Sequence, residues 1–375
     1  MRVTQATLTR VRLPLVHSFQ TSSHRKSYLE HILVRLEADD GTVGWGEIAS
    51  PSDPYYCSET VETTWLVARR YLIPALLTTD WDTPEQAAAS WHKIRGHEFA
   101  KAGVDAAVWV LYAQSHGLSL SAALGGTRTQ VRAGVSLGIE PTIDDLLAQV
   151  QKQVDAGYHR VKLKIAPGWD IEPVRAVKAA FPDHDIHVDA NGAYGDSEEE
   201  IAHLTELDPF GLTMIEQPFA PRNFVASATL QARIQTPVCL DESVDTLDDL
   251  HTMISLKAGR VLNIKVSRMG GLSVARAAHD AALAAGIPVW CGGMHEFGIG
   301  RAANVAISSL PGFTLPSDVS GSDKYYARDV IVPPVVAHDG RVAVPTAPGL
   351  GFDVDLDWIR QNQVETDTID APTHP

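Results

Sequence analysis

The chain has 375 residues, of which 45% are hydrophobic and 21% charged; this balance is ordinary for a globular protein, and the length predicts two domains. The formal net charge of −15 disfavours nucleic acid and anionic membranes as partners, and no apolar run approaches the length of a membrane span. The first residues lack the apolar stretch of a signal peptide and the three cysteines have no C-x-x-C spacing, so we expect free thiols and a cytoplasmic protein.

The first part of the chain is predicted to form an α+β domain, which we place at 1–128. Residues 1–50 contain three strand-like runs, and the segment ADDGTVGW between the second and third is typical of a hairpin turn. Residues 16–27, between the first two runs, are polar and are interpreted as a turn. Residues 59–127 have helical spacing. We interpret GWGE at 44–47 as a tight strand turn, since no helix directly follows it.

From residue 129 the pattern changes to short apolar strands that are followed by helical runs, with one pair about every 25 residues. This alternation predicts a parallel (β/α)8 barrel at 129–324. The predicted strands are VRAGVSLGI, RVKLKIA, IHVDAN, LTMIEQP, PVCLDES, RVLNIKV, IPVWCGG and GFTLPSD. The tail, 325–375, contains a hairpin-like pair in VIVPPVVAHDGRVAVP that is expected to return to the first domain.

Acidic residues end several of these predicted strands. Asp189, Glu216 and Asp241 follow one another at intervals of about 25 residues, and the C-terminal ends of barrel strands meet at one mouth. Carboxylates that point at one place repel each other unless a cation lies between them, and Mg²⁺ prefers such oxygen ligands. The spacing therefore predicts a Mg²⁺ site, with Mn²⁺ or another divalent ion as an alternative. Taken singly, each residue also fits a turn, a strand end or a helix cap.

Three lysines belong to the same predicted mouth. Lys162 and Lys164 lie two residues apart on one strand, so their side chains point the same way, whereas Lys265 ends a later strand. The alternative for the first two is an edge strand with a solvated basic face. If they instead face the barrel interior, crowding and burial lower a lysine pKa and make the amine a usable base.

Several motifs occur together in the order typical of one known family. With them the chain resembles the enolase superfamily, muconate-lactonizing subgroup, along nearly its whole length, and most of all the o-succinylbenzoate synthase and N-acylamino acid racemase enzymes. The motifs are GWGE (44–47), ALGG (123–126), VSLGI (135–139), VKLKIAPG (161–168), VDANGAY (188–194), IEQPF (215–219), CLDES (239–243), NIKVSRMGG (263–271) and CGGM…GIGR…SLPGFTLPSD (291–318).

The resemblance implies a capping domain over a modified (β/α)8 barrel. It implies that the three strand-end carboxylates bind Mg²⁺, with Asn191 and Glu242 next to the metal. It also implies that Lys164 and Lys265 are bases on opposite faces of the substrate, with Lys162 beside the substrate carboxylate.

The resemblance further implies a small-molecule carboxylate as substrate and a homo-oligomeric enzyme. Loops at 16–27 and 50–60 are expected to close over the substrate and exclude water. The predicted substrate contacts are Phe19, Tyr56, Ser136, Gly292, Gly293, Met294, His295 and Asp318.

The implied activity is metal-dependent removal of the proton next to a carboxylate. Its outcome is dehydration to o-succinylbenzoate, racemisation of N-succinyl or other N-acyl amino acids by two lysines, or both. A dipeptide epimerase is an alternative, although its expected D-x-D is reduced here to Asp318. A muconate-type cycloisomerase and a racemase of another carboxylate also fit, as does a catalytically silent ligand-binding barrel from a different class of protein. His295 and Phe297 stand in GGMHEF where the family usually reads GGMLET, which leaves the side-chain preference open.

Overall fold

The computed structural model describes residues 1–20 and 25–372, and of residues 17–20 and 25–26 it describes the backbone alone. The side chain of Phe19, a predicted substrate contact, therefore lies outside what the structure describes. The first part of the chain contains β1 (Val3–Gln20), β2 (Arg25–Ala38), β3 (Val43–Ile48), α1 (Val61–Val67), α2 (Ile73–Leu77), α3 (Pro84–Ala89), α4 (Glu98–Ser115) and α5 (Leu120–Leu124).

The second part contains strands in regular alternation with helices. They are β4 (Gln130–Arg132), β5 (Gly134–Leu137), α6 (Ile143–Asp155), β6 (Arg160–Lys164), α7 (Ile171–Ala180), β7 (Asp185–Asp189), α8 (Glu198–Thr205), β8 (Ile215–Glu216), α9 (Phe224–Arg233), β9 (Val238–Leu240), α10 (Leu247–Leu256), β10 (Val261–Ile264), α11 (Leu272–Ala284), β11 (Val289–Cys291) and α12 (Gly298–Ile307). The tail contains β12 (Ile331–Val332), β13 (Arg341–Ala343), β14 (Asp353–Val354), α13 (Leu356–Asn362) and β15 (Gln363–Asp370). None of the helices in the described ranges combines the length and the apolar character that a membrane span requires.

A four-stranded antiparallel sheet forms the capping domain together with α1–α4, in the order β15–β1–β2–β3. Alternation in β1 places every second side chain, such as Val11 and Leu13, in the core. The predicted hairpin is confirmed, because β2 and β3 pair on either side of a turn at 39–42. Gly41 has φ +83° in this turn, a conformation that glycine adopts without a steric cost.

Two segments predicted as turns are largely strand. In the segment predicted as a turn at 16–27, residues 16–20 belong to β1 and residues 25–27 belong to β2. GWGE at 44–47 lies inside β3 rather than in a turn. β3 packs so closely on α4 that a β-carbon on Gly46 would lie 2.0 Å from the Gly103 carbonyl oxygen. The glycines of this motif therefore allow the sheet to approach the helix.

Seven parallel strands follow the order β5–β6–β7–β8–β9–β10–β11 and form a curled sheet surrounded by helices. Apolar residues of these strands, such as Val161 and Leu163, share one buried core with Val174 of α7. This arrangement confirms the predicted α/β class, a modified (β/α)8 barrel with an α+β capping domain.

The predicted eighth strand, GFTLPSD, is an extended segment but not a regular strand. Phe313 bridges to β11, and Ser317 bridges to the residue before β5, each through a single pair. Pro316 has no N–H to donate, which limits ladder formation here. The segment nevertheless connects the two edges of the curled sheet, and we call residues 312–318 the eighth stave of the barrel.

The hairpin predicted in the tail is confirmed only at its turn, where His338 and Arg341 form an antiparallel bridge. β12 pairs with β14, and β13 pairs with β4, so β12 and β13 are not partners. Pro333 and Pro334 follow β12 directly and cannot donate hydrogen bonds to a neighbouring strand. The return to the first domain is made by β15, which pairs antiparallel with β1 from Gln5 opposite Asp370 onward.

Glu47, the last residue of GWGE, connects the capping sheet to a barrel helix. Its Oε1 accepts a hydrogen bond from the Phe297 N–H at 2.7 Å, and its Oε2 accepts one from the Gly300 N–H at 2.7 Å. These groups form the N-terminal turn of α12, where backbone N–H groups lack partners within the helix. His31 Nδ1 lies 2.7 Å from Glu47 Oε1 and completes the buried contact.

Asp105 of α4 makes a second connection of the same kind. It accepts hydrogen bonds from the Ser273 N–H at 2.9 Å and from Ser273 Oγ at 2.6 Å, at the start of α11. Burial raises the pKa of Asp105 from 3.8 to about 7, although these hydrogen bonds oppose the shift.

We expect this shift to make stability depend on pH. Because the folded pKa lies above the unfolded value, the stabilisation by Asp105 is fully present below pH 3.8 and is lost as pH rises through about 7. Asp105→Asn, a neutral isostere, should therefore cost more free energy of unfolding at pH 5 than at pH 8, by roughly 2 kcal/mol. Urea unfolding of both proteins at the two pH values measures this difference, and an equal cost at both would contradict it.

Candidate active site

The charged residues at the strand ends meet at one mouth of the barrel. Asp189 ends β7 and pairs in register with Glu216, which ends β8, and Asp241 directly follows β9. Lys164 ends β6, and Lys265 directly follows β10. With the eighth stave included, β6 and β10 are four positions apart in either direction around the ring. The two lysines therefore end opposite staves, and the three carboxylates lie on the staves between them.

Lys164 contacts the first carboxylate. Its Nζ lies 2.5 Å from Asp189 Oδ2 and also donates to Asn191 Oδ1. Asn191 donates from its backbone N–H to Asp189 Oδ1 at 2.9 Å and from Nδ2 to Glu242 Oε1 at 2.8 Å. Burial and the charge of Asp241 raise the pKa of Glu242 to about 7. Asn191 thus connects Asp189 to Glu242.

Glu216 lies at the centre of a buried polar cluster. Its Oε1 accepts from Asn263 Nδ2 at 2.8 Å, and its Oε2 lies 3.1 Å from His187 Nε2. Lys162 Nζ donates to Glu216 Oε2 at 3.3 Å and lies 3.5 Å from Asp189 Oδ2. Only 6% of the Lys162 side chain is exposed, so it faces the barrel interior rather than a solvated edge.

Asp241 is held between two cationic side chains. Its Oδ2 lies 2.8 Å from Lys265 Nζ, and its Oδ1 pairs with Arg268. Lys265 also donates to Tyr56 Oη at 2.9 Å. Tyr56 belongs to the predicted loop at 50–60, which therefore reaches the mouth.

The pKa of Lys162 runs opposite to the sequence-based expectation. Burial lowers the pKa of Lys162 and of Lys265, but the neighbouring carboxylates outweigh it and bring both pKa values above the ordinary lysine range. Burial likewise opposes ionisation of Asp241, yet the charges of Lys265 and Arg268 bring its pKa below the usual range. The expectation, which concerned Lys162 and Lys164, was wrong for Lys162 because it considered amine crowding without the carboxylates that surround the amine.

No three His, Cys, Asp or Glu side chains in the described part of the chain are placed to hold a metal ion as they stand. In this structure the ammonium groups of the lysines balance the negative charge of the carboxylates. The donor set still fits a hard divalent cation, since the carboxylates end adjacent strands. A buried carboxylate oxygen, Glu242 Oε2, also accepts no hydrogen bond from the described residues.

Two of the predicted substrate contacts lie on the staves opposite the carboxylates. Ser136 Oγ, on β5, donates to Asp318 Oδ2 at 3.2 Å. Gly292 directly follows β11, and a β-carbon there would lie 2.4 Å from Asn263 Oδ1 and 2.9 Å from Lys265 Cε. A glycine at this position therefore leaves room for the amide and the lysine.

The segment after Gly292 connects the mouth to the capping domain. A β-carbon on Gly293 would lie 3.1 Å from a Glu296 carboxylate oxygen, and Met294 packs against the capping-domain core. His295 has φ +60°, and its ring centroid lies 5.0 Å from that of Tyr325. Burial and a nearby arginine lower the pKa of His295 to about 3, so the ring is neutral at neutral pH.

Phe297, the second departure from the expected GGMLET, lies away from the mouth. It is fully buried, with its ring centroid 4.5 Å from that of His31 and 5.2 Å from that of Tyr326. This departure therefore affects the packing of the barrel against the capping sheet. Of the two departures, His295 is the one whose surroundings include the mouth residues.

Several residues that fix the positions of the strand ends were not predicted from the sequence. Gln217 has φ +38°, and its Oε1 accepts from the Asp241 N–H at 3.0 Å and the Ser243 N–H at 3.2 Å, which aligns the ends of β8 and β9. The sequence could have indicated this role, because a polar residue stands between a strand-end carboxylate and a proline. Arg268 and Arg160 gave no comparable signal, because their partners are distant in sequence.

Two family models match the chain: the N-terminal domain of mandelate racemase / muconate lactonizing enzyme at 3–125 and the enolase C-terminal domain-like model at 145–358. An N-succinylamino acid racemase from an Amycolatopsis species is 46% identical over 354 residues, which cover 94% of this chain and 95% of that protein. An o-succinylbenzoate synthase from Geobacillus kaustophilus is 44% identical over 348 residues, which cover 93% and 92%. A solved enolase-superfamily structure from Listeria innocua Clip11262 has a TM-score of 0.96 at 36% identity and covers 99% of this chain and 100% of that one.

Proposed function

Because the chain belongs to the enolase superfamily, we propose that it removes the proton next to the carboxylate of a small organic acid. It is an enzyme of the lyase or isomerase type. The observation that carries the proposal is the placement of Lys164 and Lys265 on opposite staves, with carboxylates on the staves between them. A substrate that lies across this mouth presents one face of its α-carbon to each lysine.

Family members generally use a divalent metal, and we propose Mg²⁺ here, held by Asp189, Glu216 and Asp241. When bound, it would act as a Lewis acid that stabilises the negative charge developing on the substrate carboxylate. Asp189 and Asp241, which pair with Lys164 and Lys265, would share their charge with the cation when it is bound. We propose that the two lysines act as bases in this state.

The chain's own residues account for both proposed outcomes. In racemisation, one lysine removes the α-proton and the opposite lysine returns a proton to the other face. In dehydration, one lysine removes the proton and, once protonated, assists departure of hydroxide. Lys162 supplies positive charge next to the carboxylate in either case.

The names of the relatives favour N-succinylamino acid racemisation and o-succinylbenzoate synthesis over dipeptide epimerisation and muconate cycloisomerisation. A dipeptide epimerase is less favoured, since the eighth stave carries Asp318 without a second aspartate two residues later. Asp318 also stands where a muconate-type cycloisomerase is expected to have glutamate.

The test measures α-proton exchange by NMR in heavy water with Mg²⁺ present, on a panel of N-succinyl L- and D-amino acids. Exchange with epimerisation supports the racemase, and conversion of the cyclohexadiene precursor to o-succinylbenzoate supports the synthase. Dipeptides and muconate in the same panel test for epimerase and cycloisomerase activity. A protein that binds Mg²⁺ but exchanges no carboxylate would be a silent ligand-binding barrel instead.

We also propose a cytoplasmic, homo-oligomeric enzyme. The free cysteines Cys57, Cys239 and Cys291 support a reducing compartment. Sedimentation measures the assembly state directly, and it does not affect the proposed chemistry.

A further inference from the structure

We propose that Asp318, held by Arg160, is a positioning residue that fixes the ammonium group of Lys162 next to the substrate carboxylate. This role rests on the proposed function and assigns Asp318 a task other than direct substrate contact. It follows from a buried network in the barrel interior, formed by Arg160, Lys162, Asp318 and Trp290.

Both carboxylate oxygens of Asp318 are already engaged. Oδ1 lies 2.9 Å from Arg160 Nη1, and Oδ2 lies 3.1 Å from Lys162 Nζ. Ser136 Oγ donates to Oδ2 at 3.2 Å. The contact to Arg160 is ionic and not aligned as a hydrogen bond. With 17% of its side chain exposed, Asp318 lies below the open mouth and faces two cations.

The Arg160 side chain is enclosed in the barrel interior, where neighbouring residues leave space for it. Only 1% of its side chain is exposed, and Nη2 donates to the Pro316 carbonyl at 2.8 Å. A β-carbon on Gly134 would lie 2.3 Å from Arg160 Cζ, so glycine on β5 makes room for the guanidinium. Among the described residues, Asp318 is the only carboxylate within 4.0 Å of Arg160. A buried arginine with one anionic partner holds that partner firmly, because separation would leave a charge uncompensated.

The ring of Trp290, on β11, contacts the cationic groups of both Arg160 and Lys162. The Arg160 Cζ atom lies 5.0 Å from its ring centroid, and the Lys162 Nζ atom lies 4.9 Å from it. Distances below about 6 Å are typical of attraction between a cation and an aromatic ring. The ring therefore limits the directions in which Lys162 can move.

Asp318 differs from the other carboxylates near Lys162. Lys162 contacts Asp189, Glu216 and Asp318. The first two are proposed metal ligands, so their charge is shared when the cation is bound. Asp318 is the anion whose pairing with Lys162 does not compete with the metal, and its own pairing with Arg160 keeps it in place. It can therefore hold Lys162 during the reaction.

The test is a double-mutant cycle on the α-proton exchange rate, with Mg²⁺ saturating. Asp318→Asn should lower kcat by roughly 10- to 100-fold, the usual effect of losing a partner behind a functional group. In a Lys162→Met background, the same change should cause no further loss, because the residue that it positions is gone. A direct substrate contact would instead lower the rate in both backgrounds, which would overturn the proposal.

Arg160→Met should reproduce the loss, and Arg160→Lys should restore part of it. Asp155→Asn is the control, since it alters an exposed carboxylate at the C-terminal end of the outer helix α6 and should leave the exchange rate unchanged. If Asp318→Asn does not fold, Asp318→Glu keeps the charge, moves it and should lower kcat to a smaller extent.

A second measurement does not depend on turnover. In a crystal structure of Asp318→Asn, Lys162 Nζ should leave the face of the Trp290 ring, and an unmoved Nζ would overturn the positioning role. If the wild-type protein exchanges none of the N-succinyl amino acids, the proposed function fails, whereas this structural comparison still decides the role of Asp318.

Discussion

Replacement of Lys164 or Lys265 by alanine should reduce racemisation of an N-succinylamino acid by roughly 10²- to 10⁴-fold, the contribution usual for a positioned proton-transfer group. Each lysine ends one of two opposite staves, so each can reach one face of the α-carbon. Racemisation needs a base on one face and an acid on the other, and either loss interrupts it.

Exchange with solvent gives the sharper result. Lys164→Ala should still exchange the α-proton of the one enantiomer that presents it to Lys265, and Lys265→Ala should exchange only the opposite enantiomer. NMR in heavy water on the separate L and D forms measures both rates. Lys178→Ala, a change on the outer helix α7, is the matched control. Substantial racemisation in either single variant, or the same enantiomer preference in both, would contradict the two-base assignment.

Asp241→Asn should weaken Mg²⁺ binding by roughly 100-fold or more, since even partners outside the ligand set typically cost 10- to 100-fold. The same change leaves Lys265 and Arg268 without their shared anion. Removing one partner of a buried ion pair typically costs about 3–5 kcal/mol. The metal-free variant should therefore be clearly less stable than the metal-free wild-type protein.

Asp245→Asn is the control for this change. Asp245 lies 3.1 Å from the same Arg268, but about half of its side chain is exposed and it is not a predicted ligand. Calorimetric Mg²⁺ titration and urea unfolding of both variants separate loss of a ligand from loss of an ion pair. If Asp241→Asn binds Mg²⁺ as tightly as the wild-type protein does, Asp241 does not belong to the ligand set.

The positions of the strand ends could be predicted, because residues that end successive strands of a parallel barrel meet at the same mouth. Asp189, Glu216 and Asp241 each follow a buried strand, so their meeting at one mouth follows from topology. The direction of the lysine pKa values was not predictable in the same way. It depends on distances of 2.8 to 3.5 Å between side chains of different strands, which sequence spacing does not specify.

The tail shows a second limit. The turn of the predicted hairpin forms between His338 and Arg341, but the strands β12 and β13 pair with other strands, because pairing depends on which edges are open in three dimensions. The eighth stave was placed correctly along the chain, yet Pro316 leaves it only single bridges. Arg160 and its space beside Gly134 could not be foreseen, because a glycine does not reveal which side chain will pass it.

Glu47 and Asp105 have a practical implication for protein engineering. Both belong to the capping domain, but each supplies the acceptor at the beginning of a barrel helix, α12 or α11. A hybrid that joins this barrel to the cap of another family member must retain acidic side chains at both positions. Otherwise two barrel helices would begin with unpaired amide groups, and a transplant intended to change only the loops of the cap would loosen the scaffold beneath them.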